Sequence, residues 1–129
     1  MTEFLNPKTV HKPAGAYSHS ARIPANAELL MIAGQVGVNP KGKLQDGIRG
    51  QAEQAFRNIL AVAKANGMQK RHLVKFTVYL TDPRDIDAYR AARKKVIGDA
   101  ILPPSTLLII DGLAAPDMLI EIEAMAAKA

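Results

Sequence analysis

The chain has 129 residues, of which 48% are hydrophobic and 22% are charged, as expected for one soluble globular domain spanning residues 1–129. It contains no Cys, which excludes disulfide and thiolate chemistry, and no apolar run approaches the roughly 20 residues of a membrane span. The formal charge of +5 comes from scattered basic residues, which we expect on solvated helix faces. Residues 1–8 lack a secretory pattern, so we expect a cytoplasmic protein without specific nucleic-acid or membrane partners.

The predicted elements begin with a hairpin in which residues 18–23 pair with residues 29–33 around a turn at residues 24–26. Apolar residues then recur with helical spacing over residues 48–66, and Gly67 suits a left-handed helix end. Strict alternation over residues 73–80 predicts a strand.

A second helix is predicted over residues 83–97, because Asp82 suits the N-cap position and Pro83 the first helical position. Its apolar face includes Tyr89 and Arg93. Two strands follow, over residues 106–110 and 118–126. This order predicts an α+β fold in which both helices pack on one face of a single mixed sheet.

The last strand contains the sequence I-E-I-E, whose side chains alternate between the two faces of the sheet. Ile120 and Ile122 point into the core, whereas Glu121 and Glu123 share the other face, about 7 Å apart. No predicted element covers that face, which also carries Met125. An uncovered, half-apolar face predicts an oligomer.

The polar motifs of the chain fit few catalytic patterns. Residues 32–40, I-A-G-Q-V-G-V-N-P, favour a hairpin loop over a phosphate-binding loop. The three His residues, at positions 11, 19 and 72, are too dispersed to predict a metal site, and no serine lies in a G-x-S-x-G elbow. The residues alone leave Glu121 and Glu123 open to three roles: exposure to water, an interface ion pair, or work on a substrate.

Five segments occur in an order and spacing that spans nearly the whole chain. They are Y-S at 17–18, A-G-Q-V-G-V-N-P at 33–40, Q-A-F-R-N-I at 54–59, V-K-F-T-V-Y-L at 74–80 and I-E-I-E-A at 120–124. Together they resemble the Rid family, also called the YjgF family and formerly the L-PSP endoribonucleases. The resemblance implies a chorismate-mutase-like α+β fold and a homotrimer whose sheets line a central barrel. It also implies intersubunit sites that hydrolyse reactive enamines or imines without a metal or organic cofactor.

The resemblance also assigns roles to individual residues. Glu121 matches the carboxylate that orients water and moves its proton. Tyr17 matches an aromatic wall of the pocket and Gly34 a backbone contact to the substrate, and Leu107 and Arg90 are further candidates for substrate binding.

One position departs from the pattern of the deaminating branch of the family. That branch has an Arg that clamps the substrate carboxylate, and Ser105 occupies this position here. A hydroxyl cannot replace a bidentate guanidinium, whose loss costs on the order of 2 kcal/mol of binding free energy. We therefore expect the usual 2-aminoacrylate-type substrates to be poor unless another cation, such as Arg90, replaces it.

Three function classes follow for the chain. The first is an imine or enamine deaminase, and the second is a metabolite-binding or regulatory trimer that has lost catalysis with the Arg. The third is a ribonuclease or translation inhibitor, a label attached to some relatives. The third has the least support, because the sequence contains no His pair, metal cluster or aromatic-basic platform.

Overall fold

The computed structural model describes residues 1–129. Its helices and strands are, in chain order, β1 (Glu3–Leu5), β2 (Ser20–Arg22), β3 (Glu28–Val36), α1 (Gly47–Ala65), β4 (Leu73–Leu80), α2 (Ile86–Val96), β5 (Ser105–Ile109) and β6 (Ile120–Lys128). No helix is both long and apolar enough to cross a membrane.

The main sheet has the strand order β3-β6-β4-β5, and it is mixed because β5 runs parallel to β4 whereas β6 runs antiparallel to both of its neighbours. Both helices pack on one face of this sheet. The core between the layers is centred on Phe56 of α1, whose ring lies 5.6 Å from that of Phe76 on β4 and 5.9 Å from that of Tyr89 on α2. These layers confirm the predicted α+β class.

Local sequence signals account for both helices. The buried residues of α1 fall on one face, and the chain leaves the helix through Gly67, whose φ of 75° favours glycine. Asp82 caps the second helical segment, since its Oδ1 accepts a hydrogen bond from the backbone N–H of Arg84 at 2.9 Å. A 3-10 turn at Pro83–Asp85 precedes α2, so the predicted helix is confirmed with a tighter first turn.

The predicted opening hairpin is wrong. Strand β2 pairs with β1, not with β3, and these two strands form a separate two-stranded sheet. Side chains hold this pair together, because the Ser20 hydroxyl donates to the carbonyl of Leu5 at 3.1 Å and the backbone N–H of His19 donates to Asn6 Oδ1 at 2.7 Å. The chain therefore has two sheets where one was predicted.

Strand β3 continues beyond its predicted end at Ala33 and runs to Val36. The register shifts on the way, since Ile32 pairs with Ala124 whereas Gln35 pairs with Ile122. This bulge places Ala33 and Gly34 together opposite a single residue of β6, which allows the strand to continue through a glycine.

The face of the main sheet opposite the helices, here called the open face, has no covering element in the chain. Three of its large apolar side chains are exposed: Met31 by 70%, Leu29 by 55% and Leu108 by 45%. The prediction of an uncovered, half-apolar face is confirmed. The trimer that this face suggested stays a prediction.

Candidate functional site

The six candidate site residues form two groups on opposite faces of the main sheet. Gly34 and Glu121 lie on the open face. Ser105 and Leu107 share the helix-side face, because they pair in parallel register with the core residues Phe76 and Val78. Tyr17 and Arg90 line a cleft with Ser105 and Leu107. One copy of the chain therefore brings Glu121 to Gly34 but not to the four candidates that line the cleft.

Glu121 packs its carboxylate over the backbone of Gly34. A Cβ built on Gly34 would stand 2.2 Å from Glu121 Oε2, so only a glycine leaves room for this arrangement. The Glu121 side chain is half-buried and makes no hydrogen bond or ion pair within the chain. Its carboxylate is therefore free to contact a ligand.

The neighbouring carboxylate, that of Glu123, already has a partner. The Tyr79 hydroxyl donates a hydrogen bond to Glu123 Oε1 at 2.5 Å across the two strands. This hydrogen bond is the main reason that the pKa of Tyr79 is raised, with burial and the negative charges of Glu123 and Glu121 adding to it. The two acids thus differ: Glu123 accepts a cross-strand hydrogen bond, whereas Glu121 has no partner within the chain.

The cleft on the helix side has a volume of about 470 Å³, which is sufficient for a small metabolite. Its walls come from three segments that are distant in sequence. These are a strap at residues 15–17, one side of α2, and the start of β5.

Tyr17 is held in the strap by local contacts. Its hydroxyl accepts a hydrogen bond from the backbone N–H of Ala14 at 3.2 Å, and its ring meets that of His19 edge to face at 5.8 Å. His19 in turn donates from Nε2 to the carbonyl of His11 at 2.6 Å, with ring centroids 5.1 Å apart. The structure therefore brings together two histidines that are eight residues apart in the sequence. No group of three or more His, Cys, Asp or Glu side chains assembles.

Ser105, the first residue of β5, is the next candidate in the cleft. It lies near Tyr89 of α2, which is only 5% exposed, and both residues line the cleft. Burial raises the pKa of Tyr89, an effect that the Ser105 contact opposes only in part, so the phenol stays neutral. Two uncharged side chains, those of Ser105 and Tyr89, thus line this part of the cleft.

Sequence reasoning did not identify three further charged residues that line the cleft: Arg93, Lys94 and Asp99. Arg93 is only 3% exposed, and its guanidinium donates to the carbonyls of Gly98 at 3.0 Å and Ile101 at 3.3 Å. Burial lowers the pKa of Arg93. The sequence did contain one sign of this role: Arg93 lies on the apolar face of the predicted helix, so its side chain is expected to point inward.

The family model described as Endoribonuclease L-PSP matches residues 8–128 of the chain. The chain belongs to this family, the Rid family. A RutC family protein from Pyrococcus horikoshii is 32% identical, covering 99% of both chains. A protein from Escherichia coli named 2-iminobutanoate/2-iminopropanoate deaminase is 30% identical over 103 residues, which are 78% of this chain and 80% of that protein.

The fold agrees with that of solved Rid proteins. A Rid protein of unknown function from Yersinia pestis superposes with a TM-score of 0.88 at 27% identity, covering 98% of both chains. The expected YjgF-type fold is therefore confirmed. Some relatives of this Rid protein are imine deaminases.

Proposed function

We propose that this Rid protein hydrolyses a small reactive imine or enamine in a site shared by two copies of the chain. Glu121 of one copy would act on a substrate held in the helix-side cleft of the next copy. The observation that carries the proposal is the state of Glu121, a half-buried carboxylate without a partner that lies over a glycine. The imine deaminase from Escherichia coli among the relatives supports this reaction class.

The chemistry requires one group that can accept a proton and return it. Water adds to the carbon of the C=N bond while Glu121 takes a proton from the water. Glu121 then delivers that proton to nitrogen, which gives a neutral carbinolamine. In the second step Glu121 takes the proton of the new hydroxyl group and passes it to nitrogen, so that the C–N bond breaks, the carbonyl forms and ammonia leaves. Ammonia and a carbonyl compound are the products, and atoms and charge balance without any added oxidant, reductant or cofactor.

The separation of the candidate residues supports a site shared by two copies. The sheet stands between Glu121 and the cleft within one chain, so a reaction that uses both must draw them from different copies. The apolar side chains beside Glu121 supply a reason for copies to associate, since burial of Leu29 and Met31 removes exposed hydrophobic area from water. A homotrimer satisfies this demand with three equivalent sites.

Within the cleft, the remaining candidates would orient the substrate. Tyr17 and Leu107 would pack against the carbon skeleton of the substrate. Ser105 would offer a neutral hydroxyl at the position where the deaminating relatives have an Arg that binds the substrate carboxylate. Arg90 would supply the positive charge that Ser105 lacks. Gly34 of the neighbouring copy, which lies against the Glu121 carboxylate, would present its backbone to the substrate.

The test is ammonia release from imines generated freshly by an amino-acid oxidase from a panel of monocarboxylic and dicarboxylic amino acids. We expect the wild type to accelerate release, and Glu121→Gln to lose about 100-fold or more of that rate. Glu28→Gln, an exposed glutamate on β3, is the matched control and should act like the wild type. Equal rates for Glu121→Gln and wild type would remove Glu121 from the mechanism.

A second candidate function is a metabolite-binding trimer without turnover, and Ser105 favours it because the charged clamp of the deaminating relatives is missing. Ligands would then raise the melting temperature of the protein without being consumed. Thermal stabilisation by a panel of metabolites, with no ammonia from any imine, would select this candidate.

A further inference from the structure

The charged residues of the helix-side cleft are unbalanced. Three cations, Arg90, Arg93 and Lys94, face it from α2, and Asp99 is the one acid in its lining. Two positive charges are therefore in excess in a cleft of about 470 Å³. Such a concentration of one sign in a concave site attracts an anionic ligand.

The two excess charges belong to Arg90 and Lys94. Asp99 lies 3.7 Å from Arg93, whereas Arg90 and Lys94 have no acid within ion-pair distance and no hydrogen-bond acceptor. These two residues are also four positions apart on α2, where like charges repel each other. An anion between them would relieve this repulsion.

Arg90 is positioned at the cleft. A Cβ built on Gly15 of the strap would stand 3.7 Å from both Nε and Nη2 of Arg90, which is ordinary van der Waals contact. The same point lies 3.9 Å from Cδ1 of Tyr17. The guanidinium therefore lies along the strap beside the aromatic wall, where a ligand in the cleft would meet it.

Arg93, which is buried on the same helix as Arg90 and Lys94, adds to the positive charge of the cleft. Its Nε is the one buried side-chain polar atom in the structure without a hydrogen-bond partner. Both of its terminal nitrogens are already used for the carbonyls of Gly98 and Ile101. Asp99 compensates this buried charge only at 3.7 Å and with a side chain that is 56% exposed, so an anion in the cleft would offset the rest of the cost of burial.

We propose that the cleft binds a small ligand with two negative charges, such as a dicarboxylate, through Arg90 and Lys94. This inference rests on the proposed function in that the cleft is its substrate site, and it names the class of substrate. The two anionic groups would each meet one cation on consecutive turns of α2, with Arg93 adding charge behind them. Ser105 and Tyr89 would contact the uncharged part of the ligand.

The test compares two four-carbon acids that differ in one carboxylate, succinate and butanoate, by calorimetry at constant low ionic strength. We expect succinate to bind about 10-fold or more tightly than butanoate, because each charge-assisted contact contributes about that factor. Arg90→Gln and Lys94→Gln should each bring succinate close to the affinity of butanoate. Arg22→Gln, an exposed arginine outside the cleft, and Lys41→Gln, an exposed lysine outside it, should leave the preference intact.

Equal affinities for the two acids, no binding of succinate, or an equal loss of preference in Arg22→Gln would each overturn the inference. Glu121→Gln separates this test from that of the proposed function, since it should keep the preference for succinate while losing turnover. Imine turnover without any preference for dianions would contradict the dicarboxylate proposal and leave the proposed hydrolysis standing. A preference for dianions with no imine turnover would contradict the proposed hydrolysis and leave the dicarboxylate proposal standing.

Discussion

Gly34 lies directly against the carboxylate of Glu121, such that a Cβ at Gly34 would stand 2.2 Å from Glu121 Oε2 and 2.8 Å from Cδ. We predict that Gly34→Ala displaces this carboxylate and lowers kcat/KM by about 10-fold or more, because a shift of about 1 Å in a reacting group has a large effect on rate. Stability to urea should change by less than about 1 kcal/mol, since the displaced atoms belong to a flexible side chain and residue 34 is exposed.

Gly112→Ala is the matched control for this substitution, because a Cβ there would meet nothing within 4 Å. It should leave both rate and stability unchanged. Full activity in Gly34→Ala would show that the position of the Glu121 carboxylate does not matter for turnover.

The exposed apolar residues of the open face should drive association. We predict that Met31→Asp, at a side chain exposed by 70%, prevents assembly while the fold survives, because an unpaired charge would otherwise be buried between copies. Light scattering after size-exclusion chromatography measures the mass, and circular dichroism reports the fold. Leu5→Asp is the control, since Leu5 is 58% exposed but belongs to the separate small sheet. A Met31→Asp particle of wild-type mass would locate the interface elsewhere.

Glu53 joins the two helices through ion pairs with Arg49 at 2.7 Å, Lys95 at 3.0 Å and Arg57 at 3.2 Å. Burial alone would raise the pKa of Glu53, but the hydrogen bonds and charges of Lys95 and Arg49 outweigh it and hold the pKa below its ordinary value of 4.5. The stabilised form is the ionised one, so its contribution is complete above pH 4.5 and is lost as the pH falls through the lower folded value.

We therefore predict that Glu53→Gln reduces the free energy of unfolding by about 1 kcal/mol at pH 7, a modest amount because the cations are about half exposed. Urea denaturation at several pH values should show the difference from wild type shrinking below pH 4.5. If the difference in unfolding free energy between Glu53→Gln and wild type stays constant down to about pH 3, it does not come from the ionisation of Glu53.

Arg93 and Arg90 should differ sharply when each is replaced by Met. Arg93→Met leaves the carbonyls of Gly98 and Ile101 without donors, and we predict a loss of about 2–4 kcal/mol in the free energy of unfolding. Arg90→Met should change that free energy by less than about 0.5 kcal/mol, because Arg90 is exposed and makes no hydrogen bond. Chemical denaturation measures both. Equal effects would contradict the assignment of Arg93 to the scaffold and of Arg90 to the ligand.

The sequence predicted those elements whose signal is local. Strand β4 was located to the residue because its apolar side chains alternate without interruption. Strand β1 was missed because three residues carry no periodicity, and its pairing depends on contacts such as that between Ser20 and Leu5, which are distant in sequence. Gly34 was taken for the end of β3 because glycine usually weakens a strand, whereas a bulge carries the strand past it.

The candidate site was predictable only through resemblance and only in part. The family pattern pointed to Glu121 and Tyr17, but periodicity does not reveal that they lie on different faces of the sheet. Arg93 and Lys94 were not predicted as cleft residues because the cleft forms where α2, the strap and β5 meet. That meeting depends on tertiary packing, which no single segment encodes.

The most direct test of the shared site is complementation between two inactive variants. Glu121→Gln removes the acid, and Leu107→Trp fills the cleft; each assembly alone should lack imine hydrolysis. When the two variants are unfolded, mixed in equal amounts and refolded, one interface in about four pairs an intact acid with an intact cleft, so about a quarter of wild-type activity should return. Recovery near that fraction is the result that a site built from two copies predicts. Mixed assemblies of the native mass that stay as inactive as their parents would show that Glu121 does not act across subunits.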